Sequence, residues 1–400
     1  MDTEILWGIY KSNEYSTREN VLGYMERHPI EAYSFIDTKL KIGKRKILDV
    51  IWKFYCDNKN DSIVICGPRL GYICEGLSGK YNIYSLGACG DIKNNTFMKK
   101  GIKYCAKDLW TEKLYQAYLN NDENDLISVY NEIAKFFKKN HIKLYIVTDL
   151  TPILNRLFAL AARNLNIPVV RYEHGALVAG QISEWERLKA KWERQYFNYL
   201  WSWSQKNKEA YIMLEECKHE NISVVGYPYA LPEIKEKKEK IVFVGGVITQ
   251  EEEKEHFRVV NQAFKLSKRL GYEMSYAKHP KEKNDLLEKA LDKGIRIVEG
   301  RLYQELAESK IAIGARTTAV LEAGLYQCIV IKISHGENPS ESTWRNCYVV
   351  RNEKELAEYL EQIKAGILKI KNIDEYSLKI PENIIESVNS EIQKIINATS

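Results

Sequence analysis

The sequence has no apolar run approaching the ~20 residues needed to span a bilayer, and its opening Met1-Asp2-Thr3-Glu4 carries acids where a secretory signal carries bases. Both absences predict a chain that is not integral to a membrane. Charge of one sign is also scarce, since 59 Lys and Arg against 54 Asp and Glu leave a net charge of +5. So small an excess, with Lys and Glu interleaved, implies no nucleic-acid partner. The eight cysteines, at 56, 66, 74, 89, 105, 217, 328 and 347, include no Cys-x-x-Cys pair and no His-Cys cluster, which removes the usual zinc frameworks. Their scatter through apolar stretches such as Ile63-Val64-Ile65-Cys66 reads as buried reduced thiols and predicts a cytoplasmic address. No Asp-x-Asp stands at a strand end, so neither a catalytic metal nor a cofactor is expected.

What is present is an ordinary globular composition, 45% hydrophobic and 28% charged, over 400 residues. That length predicts two domains of roughly 150 to 200 residues each. Short apolar runs alternate with helical stretches. Strands are predicted at 61–66, 81–86, 143–147, 168–172, 199–203 and 222–225, with helices at 123–140 and 152–165 between them. Strands that are apolar throughout and alternate with helices indicate a parallel sheet covered on both faces, an α/β doubly wound domain. The pattern breaks at Gly226-Tyr227-Pro228, Pro232 and the charged run Lys235 to Lys240. It then restarts, with strands at 241–244, 273–277, 295–298, 311–313 and 328–333 and helices at 250–270, 284–293, 302–308 and 317–326. The expected organisation is a domain over 1–227, a linker over 228–240, a second Rossmann-like domain over 241–375, and a helical segment over 376–400 packing back on the first domain.

Ligands of open parallel sheets bind beyond the carboxyl ends of the strands, so those ends hold the candidates. Gly245-Gly246 follows the first strand of the second half, and Thr249 with Glu252 forms a capping box. The pair either lets a backbone approach a ligand or makes a tight turn without one. Lys278-His279-Pro280 ends the next strand, where Lys and His can donate to phosphate oxygens. Arg316-Thr317-Thr318 follows Gly314 at a helix start: amides, hydroxyls and a cation suit a phosphate, and Glu322 can accept from ribose hydroxyls. The alternative is Thr317 as a plain helix cap and Glu322 as an exposed helix residue.

His279-Pro280 with Thr317-Thr318 and Glu322 some forty residues on resembles the donor half of GT-B glycosyltransferases, among them bacterial capsule and teichoic-acid transferases and bacterial sialyltransferases. Ile167 to Ala176, containing Glu173-His174-Gly175, is similar to the His-Gly strand end of the CDP-glycerol and capsule families, and Val224 to Pro228 to their domain crossing. The resemblance implies two Rossmann-like domains facing a cleft. It further implies transfer of a sugar from a CMP-, CDP- or UDP-linked donor to a glycan or lipid-linked glycan acceptor, in bacterial surface polysaccharide synthesis. His174 matches the family's base or acceptor contact, and imidazole is suited to take the proton of an attacking hydroxyl. Glu173 or Asp149 can serve instead, and His174 can simply pack at the domain seam. The sialyltransferase motif has two acids before its Gly, whereas Glu173-His174-Gly175 has one.

Two further stretches admit a peripheral membrane contact. Trp185, Leu188, Trp192, Tyr196 and Tyr199 recur at helical spacing among Lys189, Lys191 and Arg194, and Lys39, Lys41, Lys44, Arg45 and Lys46 lie near Trp52. Core packing and a solvated helix face are the respective alternatives. Other function classes compete with transfer. A UDP-N-acetylglucosamine 2-epimerase shares the architecture and the His-Pro turn but favours Ser-Gly-Gly where Arg316-Thr317-Thr318 stands, and a non-catalytic nucleotide-sugar or glycan binder fits the same motifs.

Overall fold

The computed structural model describes residues 60–67, 70–86, 98–99, 101–105, 110, 113–114, 116–117, 120, 122–150, 152–173, 175, 190–215, 217–231, 233–246, 250–279, 282, 284–315, 317–334 and 347–399. His174, Thr249, Pro280 and Arg316 lie outside them, as do Trp185, Leu188, Lys189 and the basic run 39–46 with Trp52.

Two sheets organise the chain. The first has eight strands: β1 (Ser62–Cys66), β2 (Asn82–Leu86), β3 (Met98–Lys99), β4 (Ile102–Tyr104), β5 (Ile142–Val147), β6 (Val169–Tyr172), β7 (Tyr199–Ser202) and β8 (Ile222–Val224). Their order is β3-β4-β2-β1-β5-β6-β7-β8, parallel except for the two-residue edge β3. β1 explains why the sheet is covered on both sides. Val64 and Cys66 point to a core shared with α2 (Glu123–Lys139) and α3 (Ile153–Asn164), while Ile63 and Ile65 point to the opposite core, with α1 (Gly71–Leu77). Period-two alternation thus places apolar groups on both faces of one strand. Helix α4 (Gln205–Met213) follows β7 and starts at Ser204, whose hydroxyl accepts from the Asn207 amide at 3.1 Å.

The second sheet comprises β9 (Lys238–Val244), β10 (Glu273–Ala277), β11 (Arg296–Val298), β12 (Ser309–Gly314), β13 (Ile329–Ile333) and β14 (Tyr348–Val350), ordered β11-β10-β9-β12-β13-β14 and parallel throughout. Ile241 and Phe243 pack against α5 (Gln250–Leu270) and α9 (Glu353–Lys364). Val242 and Val244 pack against α7 (Leu302–Glu308) and α8 (Thr318–Glu322), with α6 (Asn284–Ala290) between β10 and β11 in sequence. β9 begins inside the charged run that reads as linker. Its charges are paired: buried Lys240 lies 2.6 Å from Glu305, while the exposed Lys238 lies 2.8 Å from Glu308 and the exposed Glu239 meets Lys310 and Lys364.

The last helix, α10 (Ile384–Thr399), lays Ile384, Val388, Ile392, Ile395 and Ile396 against the first sheet's core. Among the described residues the chain therefore crosses between the sheets twice, and the second crossing is bonded to the first and to the turn after β7: the Tyr227 amide donates to Lys379 O and the Lys379 amide to Trp203 O, both at 2.9 Å. Gly226 makes this junction fit. Its φ of 109° is left-handed, and a Cβ there would lie 2.8 Å from Pro381 Cδ and 2.9 Å from Lys379 O. Among the described residues, no helix is long and apolar enough to cross a membrane. Of the aromatic stripe, Tyr196 is buried and Trp192 packs beneath the Arg156 guanidinium, 4.7 Å from its ring centre.

Candidate functional site

Both sheets have a point where successive connections run in opposite directions, between β1 and β5 in the first and between β9 and β12 in the second. Such switch points open a crevice at the strands' carboxyl ends. In the second sheet the crevice is bordered by Gly245 after β9 and by the turn from Gly314 to Thr318 after β12, with Lys278 and His279 after neighbouring β10. Of the residues predicted to hold the donor, Gly245, Lys278, His279, Thr317 and Thr318 lie at carboxyl ends of neighbouring strands of this sheet, and Gly246 is buried next to Gly245.

The reason for glycine at 245 differs from a simple approach of ligand to backbone. A Cβ there would stand 2.5 Å from Glu282 Oε2 and 2.9 Å from Ala277 O. The Glu282 carboxylate takes that space, accepting from the Tyr276 hydroxyl at 2.5 Å and from the His279 amide at 2.6 Å. Burial pushes its carboxyl above the usual carboxylate range, against the pull of Tyr276, the His279 amide and Lys278. Sequence reasoning missed Glu282; its one signal is its place three residues after His279. Lys278 itself turns to Glu299, 3.0 Å away.

After β12, Thr317 is the helix cap, with extended backbone and its hydroxyl accepting from the Ala319 amide at 3.3 Å. The helix it opens, α8, is five residues rather than the predicted ten. A helix this short carries little macrodipole. Glu322 is not an exposed helix residue. It is 2% exposed and accepts from the Tyr303 hydroxyl at 2.9 Å, and Tyr303 stacks on Tyr326. Burial, with Glu322 adding to it, pushes the phenol of Tyr227 at the domain crossing well above its ordinary range. Glu322 therefore faces the tyrosines behind the turn.

In the first sheet, β6 runs directly into Glu173, which is 3% exposed. Its carboxylate accepts from the Trp203 amide at 2.6 Å, Asn207 Nδ2 at 2.5 Å and the Tyr211 hydroxyl at 3.0 Å. Its own carbonyl accepts from Trp203 Nε1 at 2.7 Å. Every one of these partners belongs to β7, α4 or the turn joining them, so the group points into its own domain. Burial pushes its carboxyl from 4.5 up to about 8, despite the three donors and Arg171 pulling it down. Asp149, after β5, is half-buried, and its carbonyl accepts from Asn155 Nδ2 at 2.7 Å.

Gly175 links the two halves. A Cβ on it would lie 3.0 Å from Thr318 Oγ1, so the turn after β6 and the turn after β12 approach one another directly. The carboxyl ends of the two sheets consequently open onto one cleft, with Gly175 on one wall and Thr318 on the other.

No protein-family model matches the sequence, and no curated protein matches it. Solved structures match it in fold. Staphylococcus aureus MnaA, in a structure with UDP, superposes with a TM-score of 0.56 at 11% identity, covering 84% of this chain and 97% of its own. UDP-GlcNAc 2-epimerase from Neisseria meningitidis, bound to UDP-GlcNAc, gives 0.54 at 12% identity over 84% of this chain and 100% of its own. The UDP-GlcNAc 2-epimerase of Methanocaldococcus jannaschii gives 0.56 at 14% identity over 85% and 99%. Likeness at such identities is likeness of fold. The chain has the predicted architecture, α/β of the GT-B type, with two Rossmann-like domains facing a cleft.

Proposed function

We propose that this chain is a nucleotide-sugar-dependent glycosyltransferase that moves a sugar from a CMP-, CDP- or UDP-linked donor to a hydroxyl of a glycan or lipid-linked glycan acceptor, in bacterial surface polysaccharide synthesis. The observation that carries the proposal is the approach of Gly175 to Thr318, which brings a turn of each domain to the same point of the cleft. In this reading the second domain holds the donor: Lys278, His279, Arg316 and the turn at Thr317-Thr318 meet its phosphates. The acceptor oxygen attacks the anomeric carbon, the carbon–oxygen bond to phosphate breaks, and the nucleotide leaves with the electron pair. His174, between Glu173 and Gly175 in the chain, takes the hydroxyl proton. Cations and turn amides stabilise the departing phosphate without a metal. Glu173 and Glu322, both committed to neighbours in their own domains, position the turns they adjoin. Peripheral attachment at the inner membrane face would bring a lipid-linked acceptor to the first domain.

A second reading is favoured by the overlay on UDP-GlcNAc 2-epimerases along nearly their whole length. One assay separates the two. Transfer predicts release of nucleotide from a CMP-, CDP- or UDP-sugar only when a glycan acceptor is added. Appearance of the 2-epimer from UDP-GlcNAc without any acceptor would establish the epimerase instead. Tight nucleotide binding with no turnover of any donor would mark a non-catalytic binder.

A further inference from the structure

The carboxylate of Glu282 sits where the proposed donor site has its most complete set of anion contacts. Gly245 supplies a face without a Cβ, the His279 amide and the Tyr276 hydroxyl both donate into that space, and Lys278 belongs to the same strand end. The donors are held from behind. Tyr276 is fully buried, its hydroxyl lies 3.3 Å from His256 Nε2, and its ring stacks on Phe243 at 5.8 Å. Two donors facing a bare glycine at a sheet's switch point can hold an anion; the Ala277 carbonyl, which also borders the space, is occupied by the Gly245 amide at 2.9 Å, and here the protein's own anion fills the site.

We propose that Glu282 is a built-in competitor for a phosphate group of the donor: its carboxylate occupies the cradle of Gly245, the His279 amide and the Tyr276 hydroxyl, and must swing out before a phosphate oxygen enters. The identity of the natural anion rests on the donor reading above. A simple clamp on the 279–282 turn would use the same hydrogen bonds, including the Glu282 amide to His279 O at 3.0 Å, but it predicts the opposite sign. Removing a competitor tightens anion binding; removing a clamp loosens it.

The probe is inorganic pyrophosphate, titrated calorimetrically into wild type, Glu282→Gln and Glu282→Ala, with CMP, CDP and UDP as parallel ligands. Glu282→Gln keeps the shape and an acceptor oxygen but loses the charge, and a charged acceptor holds its donors about twice as strongly as a neutral one. Pyrophosphate is therefore expected to bind Glu282→Gln about tenfold more tightly than wild type. Glu282→Ala should gain at least as much; if that variant does not fold, the Gln variant decides alone. Equal or weaker pyrophosphate binding by Glu282→Gln, or none by either protein, overturns the competitor. Nucleotides that still bind wild type in that case leave the donor reading standing. A tighter pyrophosphate complex with no nucleotide bound by any form retains the cradle and removes the donor reading.

Discussion

Glu173→Ala is expected to lower folding stability by about 4 kcal/mol, because it removes the shared acceptor of three buried donors. The Trp203 amide, Asn207 Nδ2 and the Tyr211 hydroxyl all converge on this carboxylate within 3.0 Å. Each orphaned donor costs about 1–3 kcal/mol. Urea unfolding measures the loss. The same group gives stability a pH dependence of known sign. Its pKa is 4.5 in ordinary surroundings and about 8 in the fold, so between these values the folded state binds more protons than the unfolded one. Its contribution is fully present below 4.5 and is lost as pH rises through 8. Glu173→Gln, which cannot titrate, should flatten that slope while costing less than the Ala change. A Glu173→Ala protein of wild-type stability that has lost turnover would mean that the carboxylate acts in the chemistry and not in positioning.

Gly175→Val is expected to lower acceptor-dependent turnover about a hundredfold, the scale on which a displacement of about 1 Å at a reacting centre acts. A Cβ alone would come within 3.0 Å of Thr318 Oγ1, and valine adds two methyl groups in the seam where, in the proposed reaction, donor and acceptor meet. The melting temperature should barely move, since the clash lies between turns and outside either core. Gly175→Ala should show a smaller loss, because the Thr318 hydroxyl can rotate away. Thr318→Ala in that background should restore part of it, giving a coupling energy of about 0.5–3 kcal/mol in a double-mutant cycle. Additive effects of the two changes would mean that these turns do not share a site.

The fold was legible because its sheets are built from short apolar runs whose neighbours are helices. β10, Glu273–Ala277, coincides with its predicted span, and most other strands begin or end within a residue or two. The misses share a physical origin. The run at 235–240 reads as part of the linker, yet Lys238, Glu239 and Lys240 lie in β9, where Lys240 pairs with Glu273 of β10 in register and its buried ammonium meets Glu305, partners distant in the sequence. Helix α8 stops early at Glu322, where the chain enters the turns leading through Gly324 to β13. β14 and α9 fall in a stretch whose polar residues obscure the alternation.

The candidate site divides in the same way. The positions of Lys278 and His279 after a strand and of Thr317 and Thr318 at a helix start were legible since strand ends and hydroxyl-capped helix starts are local patterns. The inward turn of Glu173 was not, as its acceptor role is defined by residues 30, 34 and 38 positions later. Glu282 became meaningful only when β9 and β10 were seen to lie side by side, which sets its carboxylate against Gly245.

A nucleotide seated in the crevice between β9 and β12 should show in a thermal-shift series with CMP, CDP, UDP and GDP. Ligand at a hundred times its Kd stabilises a fold by about 2.7 kcal/mol, an upward shift of several degrees. One pyrimidine nucleotide is predicted to give that shift with wild type and to lose most of it with His279→Ala. No shift with any of the four, or a shift that His279→Ala leaves untouched, would contradict that placement.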